Sequence, residues 1–287
     1  MPANEDQIVH VSDTALMVAA CRAMETARAD GLVRDLFAER LAGARGMAIA
    51  RSLPGLEMMC FGVGIRSRFL DELLLHALAG HAIETVVSVG AGLDTRPWRL
   101  ELPADLRWIE VDFPAMLDYK SALLASERPK CRLSRVAADL NDASERQAVF
   151  DAAGRGRGLM ITEGLLSYLP AETVRALATE PAATSGIRYW LLDLASPDLA
   201  RRAGMDSRQA ILNVQAASHL DGLLILEAAR RSGWNSIATR TYTKDALGAA
   251  RARIQALAAG RDARAPVAPP PAPDDPSGVH LLGLSPA

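Results

Sequence analysis

The chain has 287 residues, of which 49% are hydrophobic and 23% charged, and its formal net charge is -2. It carries enough apolar material for a substantial core. There is no global field to recruit nucleic acid or an anionic membrane, and neither partner is expected.

In chain order, the opening "MPANEDQIVHVSD" lacks the cationic start and apolar centre of a signal peptide. No later run is long enough to cross a bilayer, so a cytoplasmic setting is expected. Residues 14–29 repeat apolar side chains at helical spacing behind a Ser12/Asp13 cap signal, and a second short helix is expected over 35–42. After "RSLPGLE", residues 65–79 read as a longer amphipathic helix. Strands then alternate with helices: 85–89, 106–111, 132–137, 159–162 and 188–194 form the pattern of a doubly wound parallel sheet. Beyond them the sequence predicts a helix over 223–232 ended by Gly233, a strand over 234–242 and an alanine-rich helix over 244–259. The prolines of "APVAPPPAPDDPSG", residues 265–278, forbid helix and central strand and mark a surface loop. "VHLLGL", residues 279–284, is expected to close a hairpin-like pair with the strand before it. The arginine excess over 201–264 reads as solvated helix faces. The expected organisation is a helical cap over 1–64 in front of an α/β core over 65–287.

The strand ends carry the chemistry. "VVSVGAGLDTR" joins a buried strand to Gly90 and Gly92 at the carboxyl edge, where open α/β sheets bind ligands and glycine lets backbone N–H groups approach a cofactor. A plain strand-to-helix turn accounts for these glycines equally well. A nicotinamide site follows G-x-G-x-x-G/A, and Thr95 at the third small position weighs against it. "WIEVD" sets Glu110 and Asp112 at the next strand end, where a carboxylate can accept from ribose hydroxyls, cap a helix before Pro114, or do both. "AADLND" offers Asp139 to the exocyclic amine of an adenine and the backbone of Leu140 to its ring, and "ITEGLLSYLP" presents Glu163 and Gly164. Three acids at successive strand ends fit a cationic or donor-rich ligand better than three caps. Cys21, Cys60 and Cys131 show no ligand spacing, so neither a metal site nor a disulfide framework is expected. None of His10, His76, His81, His219 and His280 stands in a strand-end motif, and each is expected on a surface or helix face.

"VVSVGAGLDTRPWRL", "WIEVDFPAMLDYK", "AADL" and "ITEGLLSYLP" follow "TALMVAACRAMETARADGLVRDLFAERL" and "RSRFLDELLL" in unbroken order over roughly residues 12–195. Together they resemble the leucine carboxyl methyltransferase-like family of S-adenosylmethionine (SAM)-dependent O-methyltransferases. The resemblance implies a class I methyltransferase (Rossmann-like) sheet with an N-terminal helical cap. It implies SAM as cofactor and a carboxylate or hydroxyl oxygen as acceptor, on a small molecule of natural-product type. It places Arg66, in preference to Arg68, at the methionyl carboxylate, Gly90 and Gly92 under the amino acid part, and Asp112 on ribose. It puts Asp139 and Leu140 at adenine and Glu163 near the methionyl amine and sulfonium. Tyr168 and Asp193 are the substrate-side candidates, with a packed tyrosine and a buried structural acid as the alternatives. The apolar face of the first helix, with Leu16, Met17, Ala20 and Met24, is expected to close over the cofactor and shape an apolar acceptor pocket. The match fades after Asp193. Two other readings stay open: an NAD(P)-dependent Rossmann-fold oxidoreductase, disfavoured by Thr95 and by the lack of a Tyr-x-x-x-Lys pair, and a catalytically silent SAM-binding protein.

Overall fold

The computed structural model describes residues 11–194, 222–258, 275 and 277–284. Helices α1 (Val11–Ala27), α2 (Ala38–Ser52) and α3 (Leu56–Gly80) come first. An alternating series follows: β1 (Thr85–Val89), α4 (Arg96–Arg99), β2 (Arg107–Asp112), α5 (Pro114–Leu123), β3 (Arg132–Ala137), α6 (Ala143–Ala153), β4 (Gly158–Thr162), α7 (Ala171–Thr184) and β5 (Ile187–Leu194). The described chain ends with α8 (Gly222–Arg231), β6 (Trp234–Thr241), α9 (Leu247–Ala258) and β7 (Gly278–Leu284).

The strands form one sheet in the order β3-β2-β1-β4-β5-β7-β6. β1 is buried at every position and lies parallel between β2 and β4, with Val87 opposite Ile109 and Met160. Its β-branched run suits a strand covered on both faces. Successive side chains point to opposite faces. Val87, Ile109 and Met160 share one core with residues of α6, α7 and α8, while Val86, Trp108 and Leu159 share another with residues of α3. β7 runs antiparallel to both β5 and β6, so the expected closing pair is present and the end of β6 lies at the same edge as the end of β5. Trp190 and Trp234 meet edge-on at 5.5 Å. Their indole N–H groups donate to Thr162 Oγ1 at 3.0 Å and to the Ala178 carbonyl at 2.7 Å, so neither burial leaves an orphan donor.

The helical front differs from expectation in three places. Asp13 lies inside the first turn of α1 and takes a bidentate pair from Arg45 at 2.9 and 3.0 Å. α2 starts at Ala38 instead of Asp35, kinks at Gly43 (φ 58°) and continues to Ser52. α3 begins at Leu56 and runs unbroken across residues 64 and 65. Its first half, "LEMMCFGVG", shows no one-sided stripe because it is covered on both sides: Met59, Cys60 and Val63 pack with α1 and α2, and Phe61 packs with the sheet.

That third core joins α1, α2 and α3 to Leu93, Trp98 and Leu124 of the sheet body. Met17 and Ala20 are buried within it. Leu16 and Met24, named with them on the same face, are half-buried against it. His280 is also unlike its expectation: it is buried in β7 with Nδ1 3.3 Å from Thr239 Oγ1. His81 stacks on Tyr189, and His76 is exposed. Cys21, Cys60 and Cys131 are buried free thiols. Among the described residues no helix is long and apolar enough to cross a membrane. His10, His219, residues 201–221 and 259–264 of the arginine-rich stretch, and most of the proline tract lie outside the described residues.

Candidate functional site

Strand order turns scattered acids into a row. The ends of β3, β2, β1, β4 and β5 set Asp139, Asp112, the Gly90–Gly92 turn, Glu163 and Asp193 side by side along the carboxyl edge. Neighbouring strands stand about 4.8 Å apart, so the row is about 19 Å long.

At its centre Gly90 and Gly92 take φ of 65° and 44°, a region that favours glycine. A Cβ on Gly90 would stand 2.9 Å from the Leu165 side chain. The freed amide of Gly92 donates to Asp112 Oδ2 at 2.7 Å, and that of Phe113 donates to Oδ1 at 2.8 Å. Phe113, not Asp112, occupies the position before α5, so the helix-cap reading of Asp112 does not hold. Burial pushes the Asp112 carboxyl up, outweighing these two donors. Each oxygen keeps acceptor capacity for a further partner.

Glu163 sits between two arginines: Arg66 Nε donates at 3.1 Å and Arg96 Nη1 at 2.7 Å. Burial opposes its ionisation, but Arg96 and Arg66 prevail and hold the carboxyl down at about 2. Asp193 accepts the Gly164 N–H at 2.6 Å and lies 3.4 Å from Arg66 Nη1. Its own carboxyl is pushed up by burial, against Arg66, and by Glu163 beside it. Arg96 reaches Asp71 at 2.6 Å and Asp94 at 3.0 Å, and Arg99 holds Asp71 through both terminal nitrogens. Arg68 instead pairs with Glu72 on the exposed face of α3, so of the two arginines only Arg66 reaches the edge. Tyr168 is half-buried in a short turn over Leu166–Tyr168, within electrostatic reach of Arg66 and Asp193, and burial pushes its phenol up.

The cap is tied into this edge. Arg22 of α1 donates to the Leu93 carbonyl at 2.6 Å and to Asp35 at 2.8 Å, and Thr95 donates to the same Asp35 oxygen at 2.7 Å. Position 95 therefore serves a buried polar link to the cap, not the close helix packing that a nicotinamide fingerprint needs from its third small residue. Asp139 and Leu140 lie outside the network built on Arg22, Arg66, Arg96 and Arg99. Asp139 Oδ1 accepts the Asn141 N–H at 2.9 Å, while Leu140 buries its side chain and offers its carbonyl to Arg146 at 2.7 Å.

Sequence reasoning missed Arg22, Asp35, Asp71, Arg96 and Arg99. Arg96 had a signal, standing four residues after Gly92 in a quoted motif. The others pair over long separations that no local pattern announces. Glu110, weighed with Asp112 as a ribose acceptor, is buried and held by Lys120 and Arg135.

The sequence profile described as leucine carboxyl methyltransferase matches residues 15–181. A Frankia alni protein named as a candidate S-adenosyl-L-methionine-dependent methyltransferase is 34% identical over 267 residues, covering 86% of this chain and 91% of its own. A Streptomyces coelicolor protein with the same kind of name is 36% identical over 175 residues, 57% of this chain, and that match spans only 62% of the relative's own length. Among solved structures, a DUF574 family protein from Streptomyces avermitilis superposes with a TM-score of 0.59 at 13% identity over 99% of this chain and 100% of its own. A protein named as a candidate methyltransferase from Thermobifida fusca gives 0.55 at 15% identity over 99% and 97%. These structural likenesses show the fold. Both sequence relatives are named as candidate S-adenosyl-L-methionine-dependent methyltransferases and neither as a nicotinamide enzyme. The chain belongs to the leucine carboxyl methyltransferase family.

Proposed function

We propose that this protein transfers a methyl group from SAM to a carboxylate or hydroxyl oxygen of a small acceptor of natural-product type, in the cytoplasm. The ion network at the carboxyl edge carries the reading. Asp35, Asp71, Asp94, Glu163 and Asp193 face Arg22, Arg66, Arg96 and Arg99, which leaves one acid in excess. SAM, with an ammonium, a sulfonium and a carboxylate, has one net positive charge, so the residues present fit it. In this reading Arg66 takes the methionyl carboxylate, and Gly90 and Gly92 lie under the amino acid part. Glu163 faces the ammonium and sulfonium, Asp112 the ribose, and Asp139 with Leu140 the adenine.

When bound, SAM supplies a methyl group already activated on sulfur. The chain's own work is then to align the acceptor oxygen and keep water out, and alignment alone can supply most of the acceleration. Tyr168 and Asp193 stand on the acceptor side. Asp193 is anchored by the Gly164 amide, and burial keeps the Tyr168 phenol protonated, so Tyr168 orients the acceptor as a donor rather than acting as a base. The helical cap, described from residue 11 on, shelters this edge through the Arg22 link to Leu93.

The test is turnover of methyl-labelled SAM with panels of small carboxylic acids and small alcohols or phenols. Label should appear in a small product, as an alkali-labile ester for a carboxylate acceptor or as a stable ether for a hydroxyl. A carboxylate acceptor should keep its rate at mildly acidic pH because no base must be unprotonated. Label found only on nitrogen, or only on protein, would overturn the proposal.

A further inference from the structure

Two hydrogen-bond donors at the carboxyl edge point to one anion. Arg66 directs Nε to Glu163 and Nη1 to Asp193, and among the described residues its Nη2 has no hydrogen-bond partner. Tyr242 follows β6 directly, at the edge where β5 ends in Asp193 and Leu194. Gly278 of β7 pairs with Leu194 on one side and with Thr241 on the other, and the Tyr242 amide donates to the Ser277 carbonyl at 3.0 Å. The Tyr242 ring stacks on Phe69 with centroids 6.1 Å apart and planes 11° apart. Phe69 stands one helical turn after Arg66 on α3, and the Tyr242 phenol lies within electrostatic reach of that guanidinium. The Tyr242 hydroxyl, like Arg66 Nη2, has no hydrogen-bond partner among the described residues. Burial and the neighbouring Asp193 and Glu163 push the phenol up, against Arg66, so the hydroxyl stays protonated and acts as a donor.

A half-buried donor pair, one charged and one neutral, is complementary to an oxyanion such as a carboxylate. Asp193 and Glu163 already have partners and belong to the protein, so the missing anion comes from a ligand. We infer that Tyr242 and Arg66 together bind the carboxylate at the amino acid end of the cofactor, with Tyr242 supplying a neutral donor from the late part of the chain. The inference rests on the cofactor placement above. It goes beyond it by making β6 and the turn that follows part of the cofactor site.

Calorimetry on the full chain tests it with two ligands: S-adenosylhomocysteine, which carries the carboxylate, and 5′-methylthioadenosine, which lacks the amino acid end. Tyr242→Phe keeps the ring on Phe69 and removes only the hydroxyl. It should weaken S-adenosylhomocysteine about tenfold, the scale of one hydrogen bond to a charged group, and leave methylthioadenosine within about twofold. Unchanged affinity for both ligands overturns the assignment. An equal loss for both also overturns it, because the ring packing and not the hydroxyl is then at work. Phe69→Leu, which loosens the ring without touching the hydroxyl, supplies the comparison for that equal-loss pattern. Wild-type protein that binds neither ligand overturns the cofactor placement itself, a result distinct from the failure of Tyr242 alone.

Discussion

Glu163 is ionised where burial alone would neutralise it. Its carboxyl lies at about 2 against an ordinary 4.5, because Arg96 and Arg66 outweigh desolvation. The folded state therefore binds fewer protons at this site than the unfolded state when the pH lies between those values. The stability Glu163 contributes is fully present above about pH 4.5 and is lost as the pH falls towards 2, on the order of 3 kcal/mol in all. Asp193 and Asp112 have raised carboxyls and act in the opposite sense, gaining stability as the pH falls. Glu163→Gln keeps both carboxyls but removes the charge that helps raise Asp193, so the difference between wild type and variant reports Glu163 together with its coupling to Asp193. Denaturant unfolding as a function of pH should show wild type losing on the order of 3 kcal/mol more than the variant between about pH 5 and pH 2. Parallel curves would show that the arginines do not hold this carboxylate as the geometry requires.

Elements far apart in the chain are joined by a second buried pair. Arg253 of α9 grips Glu25 of α1 through both terminal nitrogens, at 2.7 and 3.0 Å, across 228 residues. Both side chains are almost fully buried, and Glu25 also accepts the Leu32 N–H at 3.1 Å. Removing one partner leaves a charge stranded in low dielectric, which commonly costs about 3 to 5 kcal/mol, while replacing both with apolar groups is often neutral. Arg253→Met should therefore lower the urea midpoint sharply, and Arg253→Met with Glu25→Leu should recover much of the loss. Failure of the double variant to recover would mean that α9 is held by something other than this clasp.

This pair also marks the limit of what the sequence made legible. The β1 and β3 bounds and the acids at the strand ends follow from local patterns: a β-branched run, then glycine or an acid. The first half of α3 was hidden because it is covered on both sides. Arg22 with Asp35, Arg253 with Glu25, and Tyr242 on Phe69 are tertiary pairings that carry no periodic or local signature.

For the whole molecule, cap and sheet share more than a boundary. Met17, Ala20 and Cys21 of α1 pack in one core with Leu93 and Trp98 of the sheet body, Arg22 holds the Leu93 carbonyl, and Glu25 neutralises Arg253. Removing residues 1–41 would expose that core, leave Arg253 without its buried partner and open the Asp35–Thr95 link beside the glycine turn. Each buried apolar side chain lost is worth about 1.5 to 3 kcal/mol, and the stranded charge about 3 to 5 more. Against a total stability of about 5 to 15 kcal/mol for a domain, these losses exceed what the remainder can absorb. The truncated protein should show no cooperative thermal transition in calorimetry and no measurable affinity for S-adenosylhomocysteine. A cooperative melt with retained affinity would show that the sheet folds without its cap and that the helical front acts only in closing over the acceptor.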